Sequence, residues 1–223
     1  MTSVQENLKK TLLSLPEDVT LVAVSKYNPA SAIEEAYALG QRVFGESHVQ
    51  ELQQKKDILP NDIEWHFIGH LQTNKVKYIA PYISLIHAVD SVKLLQEINK
   101  QAAKNERIIR CLLQIHVAQE DTKFGFTCDN CREFLNSGIV EELNYLEIAG
   151  LMCMASNTDD EGQVREEFHN AHVFFEELKT TYFENCEYFK ECSWGMTHDY
   201  LLAVEEGSTM VRIGSKIFGD RMY

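Results

Sequence analysis

Leu21-Val22-Ala23-Val24-Ser25-Lys26 is an apolar run ended by a lysine; the turn signal Asn28-Pro29 follows it, and a helical pattern from Ser31 stops at Gly40. This strand-then-helix unit decides the fold, because the same alternation recurs along the rest of the chain. Candidate strands fall at 20–25, 42–45, 64–68, 84–88, 108–116, 146–153, 187–194 and 209–213. Helical patterns lie between them at 31–39, 49–56, 74–79, 92–104, 128–137, 161–179 and 198–206, with Gly40 and Gly207 where left-handed helix ends are expected. Strict β-then-α order calls for parallel strands with right-handed crossovers, either an open doubly wound sheet or a closed (β/α)8 TIM barrel. Eight strands in 223 residues favour closure, since this length is near the lower limit of that barrel. An amphipathic stretch at 4–15 precedes the first strand and is expected to cover the bottom or flank of the barrel. No Gly/Ser/Pro-rich linker or repeat interrupts the pattern, so one domain over 1–223 is expected.

The chain carries 34 acidic and 21 basic residues, a formal charge of −13 that repels nucleic-acid phosphates and anionic lipid. A nucleic-acid binder is not expected. The apolar run at 108–115 is interrupted by Arg110 and Gln114 and is too short to span a bilayer, and Met1-Thr2-Ser3-Val4-Gln5-Glu6 lacks the basic start of a signal peptide. A cytoplasmic location is the expectation. Six cysteines without a disulfide-framework spacing fit reduced thiols. Cys128-Asp129-Asn130-Cys131 has no matched second ligand pair for zinc and reads as two thiols at the start of a helix, so no metal is expected.

The polar residues of interest fall where strands end. Lys26 follows the first strand, Glu46 the second, Gly69-His70-Leu71-Gln72 the third and Asp90 the fourth; Lys123 lies after the fifth, 193–197 follow the seventh, and Arg212-Ile213-Gly214-Ser215 ends the eighth. In a closed barrel these positions meet on the C-terminal face, where such folds place their active sites. A lysine at the mouth of a buried strand can lose hydration and act as an amine nucleophile toward a carbonyl, although by position alone Lys26 reads first as a solvated charge ending a strand, and only the rest of the chain reverses that. Gly214 admits close backbone approach to an anion and Ser215 adds a hydroxyl; a plain helix cap by Ser215 is the other reading of that segment. The spacing is neither that of a dinucleotide fingerprint nor that of a P-loop. A strand-one lysine joined to a strand-eight phosphate cradle suits a small phosphorylated aldehyde, with pyridoxal 5′-phosphate (PLP) the evident candidate.

The segments Leu21–Lys26, Phe44-Gly45-Glu46-Ser47-His48-Val49-Gln50-Glu51, Trp65-His66-Phe67-Ile68-Gly69-His70-Leu71-Gln72-Thr73-Asn74-Lys75, Gly150-Leu151-Met152, Ser193-Trp194-Gly195-Met196-Thr197 and Gly207-Ser208-Thr209-Met210-Val211-Arg212-Ile213-Gly214-Ser215 together resemble the PLP homeostasis protein family. The resemblance implies a fold type III PLP-binding barrel like that of alanine racemase, with Lys26 holding PLP as a Schiff base. It implies that Arg212 faces the pyridine nitrogen and that Ser193, Met196, Thr197, Gly214 and Ser215 surround the phosphate. A guanidinium cannot accept a proton, so Arg212 would donate to an unprotonated ring nitrogen and leave the ring a modest electron sink. Three positions depart from the family pattern: Ser47 where asparagine is frequent, Trp194 where a smaller residue is common, and Phe124 within the Lys-x-Gly element.

The resemblance favours a PLP carrier or regulator acting on intracellular vitamin B6 and amino-acid pools, with PLP-dependent apoenzymes as partners and a monomer or weak homodimer as its state. The alternative is a PLP-dependent amino-acid racemase, which needs a second base opposite the lysine. The sequence ends at Tyr223, which is expected to leave no room for the domain that supplies that base in alanine racemase. Glu46, Gln72 and Lys123 are expected near the pocket, either bonding around it or orienting its loops.

Overall fold

The computed structural model describes residues 3–118 and 124–219 and closes eight parallel strands into a barrel in sequence order. The strands are β1 (Thr20–Val24), β2 (Val43–Glu46), β3 (Glu64–Phe67), β4 (Leu85–Val89), β5 (Ile109–Gln114), β6 (Leu146–Met152), β7 (Glu191–Ser193) and β8 (Met210–Ile213). Around them lie α1 (Val4–Leu13), α2 (Ala30–Tyr37), α3 (Val49–Ile58), α4 (Val76–Ile79), α5 (Val92–Lys104), α6 (Cys128–Leu135), α7 (Glu161–Thr181), α8 (Tyr200–Glu205) and α9 (Ser215–Phe218). Closure is made by β1 pairing with β8, with Val22 opposite Arg212 and Ala23 opposite Ile213. Lys26 and Ser215, at opposite ends of the sequence, thereby emerge side by side.

Local chemistry explains the elements. β1 and β4 are buried along nearly their whole length and accordingly are apolar apart from Thr20 and His87, as strands covered on both faces are. α5 starts at Ser91, whose hydroxyl accepts from the Leu94 N–H, and it buries Leu94, Leu95, Ile98 and Ala102 on one stripe. α7 starts at Asp160, whose carboxylate accepts from Gln163 N–H at 3.1 Å. The apolar residues form two layers. One lies between strands and helices; the other, Val22, Leu85, Ala88, Leu112, Ala149, Met152 and Met210, fills the barrel. Each fully buried Leu, Ile or Phe in these layers contributes about 1.5–3 kcal/mol.

The strand order follows the sequence reading, and departures concern ends. β7 begins at Glu191 rather than at 187, because Phe189 leaves the strand path to stack on Phe183 at 4.1 Å and on Phe175 at 4.9 Å. The helix expected at 74–79 opens with a 3-10 turn over Thr73–Lys75 before α4, and that expected at 198–206 begins at Tyr200. The N-terminal helix lies on the flank, where Asn7 Nδ2 donates to the Ile217 carbonyl of α9 at 3.1 Å. Gly150 adopts φ +149° against β7, and a Cβ there would stand 1.9 Å from the Glu191 carbonyl oxygen. Only glycine fits. Among the described residues no helix is long and apolar enough to cross a membrane.

Candidate functional site

At the C-terminal ends of β1, β7 and β8 a cavity of ≈ 240 Å³ is lined by Lys26, Met196, Thr197, Arg212, Gly214 and Ser215, together with Val24, Ile68, Met154 and His198. Six of the seven residues singled out from the sequence thus share one wall system. Among the described residues that line it none is acidic.

Lys26 stands two residues beyond β1, and both of its chain neighbours are fastened. The Ser25 carbonyl accepts from Lys55 Nζ at 2.8 Å, and the Tyr27 N–H donates to Glu51 Oε1 at 2.6 Å. Lys55 also donates to Glu46 Oε1 and Glu51 Oε1, each at 2.7 Å, and the Ser25 hydroxyl donates to Glu46 Oε1 at 2.6 Å. Tyr27 itself takes φ +65°, a left-handed conformation unusual for a bulky side chain, held by this clamp. Glu46 therefore acts behind the strand end, not within the cavity. Burial is the main cause that raises its carboxyl above the ordinary 4.5, with Lys55 pulling the other way.

The hydroxyls of Thr197 and Ser215 and the backbone N–H of Gly214 converge on one point. Gly214 N and Ser215 Oγ each lie 3.4 Å from Thr197 Oγ1, long contacts that leave donor capacity for an anion. Met196 N–H is already engaged by the Asp199 carboxylate, so Met196 offers the cavity its side chain.

Arg212 closes the far wall and is 4% exposed. Its Nη1 donates to Ser193 O at 2.6 Å and Ser193 Oγ at 2.7 Å, and Nη2 donates to Cys153 O at 2.9 Å. Burial pulls its pKa down from the ordinary arginine value, yet a guanidinium keeps its proton. Ser193 is the exception among the residues singled out: it is fully buried, does not line the cavity, and directs its hydroxyl to Arg212 and to His87 Nδ1 at 2.9 Å.

Gln72 lies elsewhere, in a cleft of ≈ 460 Å³ with Ser47, His48, His70 and Lys75 between the ends of β2 and β3. A third cleft of ≈ 440 Å³ runs between Ser156 and Glu205. Both are larger than the Lys26 cavity, but neither joins an amine, a guanidinium and a hydroxyl cluster. Lys123 lies outside the described residues. Phe124 is exposed and stacks on His70 at 4.6 Å, and Trp194 is fully buried away from the cavity. Cys128 and Cys131 open α6, where burial pushes the Cys131 thiol up to about 12. The sequence reading missed Lys55, His66, His87 and His198. For two of the three histidines a signal existed, since His66 stands between Trp65 and Phe67 on β3 and His87 interrupts the otherwise apolar β4.

The residues fit PLP by the chemistry of their donors: an amine for an aldehyde, uncharged donors for a phosphate with no carboxylate opposing it, and a donor-only guanidinium for a ring nitrogen. The sequence model described as the alanine racemase N-terminal domain matches residues 1–222. A pyridoxal phosphate homeostasis protein of Aquifex aeolicus is 39% identical over 204 residues, covering 91% of this chain and 87% of that protein. The Escherichia coli K12 protein of the same name is 37% identical over 212 residues, 93% of this chain and 88% of its own. The structure of PipY of Synechococcus elongatus PCC7942 with PLP bound is similar with a TM-score of 0.88 at 35% identity, covering 97% of this chain and 100% of that one.

Proposed function

Since the chain belongs to the alanine racemase N-terminal domain family, and within it to the pyridoxal phosphate homeostasis proteins, we propose that it binds PLP on Lys26 and serves as an intracellular PLP carrier. The observation that carries this is one cavity that joins Lys26, Arg212 and the Thr197–Gly214–Ser215 donors, with no acidic side chain among the described residues that line it. Bound PLP supplies an aldehyde and an aromatic electron sink. Lys26 would hold the cofactor through its Nζ as a Schiff base, released water taking up the aldehyde oxygen, in a linkage that another amine could exchange. Thr197, Gly214 and Ser215 hold the phosphate. Arg212 donates to the ring nitrogen and cannot protonate it, which restrains carbanion chemistry.

A cytoplasmic role in vitamin B6 and amino-acid homeostasis follows from this reading, with PLP-dependent apoenzymes as recipients. Titration of the apoprotein with PLP should develop a visible absorption band, and single enantiomers of alanine and serine should remain unchanged with the loaded protein. Racemisation at about 1–10³ per second, lost in Lys26→Ala, would overturn the carrier reading in favour of a racemase.

A further inference from the structure

Behind Arg212 a line of hydrogen bonds crosses the barrel interior. Ser193 Oγ lies 2.7 Å from Arg212 Nη1 and 2.9 Å from His87 Nδ1, and His87 Nε2 lies 3.0 Å from His66 Nδ1. All four side chains are buried, on β8, β7, β4 and β3. Among the described residues none makes an ion pair with Arg212, so its orientation rests on carbonyls and on this line.

The direction of the line can be deduced. Arg212 only donates, so Ser193 Oγ accepts from it and keeps one proton to give. If His87 donated from Nδ1, that hydroxyl proton would have no acceptor among the described residues, a cost of about 1–3 kcal/mol for a buried donor. Ser193 therefore donates to His87 Nδ1. His87 then carries its proton on Nε2 and donates to His66 Nδ1, and His66 carries its own on Nε2. Burial, the largest cause, holds both rings well below 6.5, so both are neutral, as a one-way line requires. A protonated His87 would present a second donor to Ser193.

We propose that Ser193, His87 and His66 are positioning residues that form a one-way donor line locking Arg212 in the orientation that presents its free N–H to the ring nitrogen of PLP. The proposal rests on the PLP reading above, but its first half concerns the apoprotein. Removing the acceptor at position 87 frees the Ser193 hydroxyl to turn, and Arg212 loses a fixed partner.

Long-range ¹H–¹⁵N correlation spectra of the histidines of the full-length apoprotein at pH 7.5 test the line directly. Neutral Nε2–H tautomers at both positions, with His87 Nδ1 shifting in Ser193→Ala, are expected; an Nδ1–H tautomer or an imidazolium at either ring overturns the proposal. The second arm loads wild type, His87→Leu, His87→Asn and Ser193→Ala with PLP labelled with ¹⁵N in its ring. His87→Leu and Ser193→Ala should move the ring-nitrogen resonance toward that of a free pyridine and weaken PLP binding by about tenfold or more. His87→Asn, whose Oδ1 replaces Nδ1 as acceptor, should restore the wild-type signal. A wild-type resonance in both His87→Leu and Ser193→Ala overturns the positioning role. Wild type that takes up no PLP overturns the cofactor reading, and the apoprotein tautomers then decide the donor line by themselves. Should His87→Leu fail to fold, Ser193→Ala and His87→Asn carry the comparison.

Discussion

Lys55 Nζ stands 2.7 Å from Glu46 Oε1, with both side chains buried directly behind the strand end that carries Lys26. The pair does not touch the cavity. It fixes the Ser25 carbonyl and, through Glu51, the Tyr27 N–H, so the backbone on both sides of Lys26 is fastened to one ammonium group.

Removing that ammonium should leave a buried carboxylate without its cation. Lys55→Met is expected to cost about 3–5 kcal/mol in urea denaturation, whereas adding Glu46→Gln to it should recover part of the loss. Glu46 already has a folded value raised above 4.5, so the folded state binds its proton more tightly and this group's contribution declines as pH rises through that window. In Lys55→Met the decline should steepen. Additive costs in the double variant would contradict this account of the clamp.

The phosphate cradle makes a separate claim. Charge-assisted hydrogen bonds contribute about 1.5–3 kcal/mol each, so unphosphorylated pyridoxal should bind at least tens of times more weakly than PLP. Thr197→Val should narrow the gap between the two ligands. Equal affinities in a spectroscopic titration would remove the cradle.

His66 and His87 should make the fold sensitive to mild acid. Burial holds His66 at about 3, with Arg110 adding to the effect, and holds His87 well below 6.5, with His66 and Arg212 adding. Between those values and 6.5 the unfolded chain binds protons that the folded chain refuses. Their stability contribution is therefore complete above about pH 6.5 and falls as pH drops, by up to about 1.4 kcal/mol per pH unit for each ring. Urea denaturation at pH 7.5, 6 and 5 measures the slope, and His87→Asn should make it shallower. An unchanged slope would mean that His87 is not held neutral.

Much of this was legible in the sequence because strand ends and chemistry coincide. The apolar run before Lys26 and the Arg212–Gly214–Ser215 segment are local signals, and barrel closure turns their distance along the chain into adjacency. Ser193 illustrates what local signals miss. Its position at a strand end was visible, but which way the hydroxyl points depends on Arg212 and His87, which lie 19 and 106 residues away in the chain. Lys55 was hidden for a related reason: on a helix with Lys56 beside it, it reads as a surface charge, and only its seat against β1 and β2 buries it. The start of β7 depended on the stacking of Phe189 with Phe175 and Phe183, which no alternation pattern encodes.

The central claim is that Lys26 alone carries PLP. Purified protein loaded with PLP, reduced with borohydride, digested and mapped by mass spectrometry tests it most directly. The account predicts one pyridoxyl-modified peptide containing Lys26, and in Lys26→Ala the loss of both the label and the visible band with the fold retained. Labelling at Lys75 or Lys123 with Lys26 unmodified would contradict it.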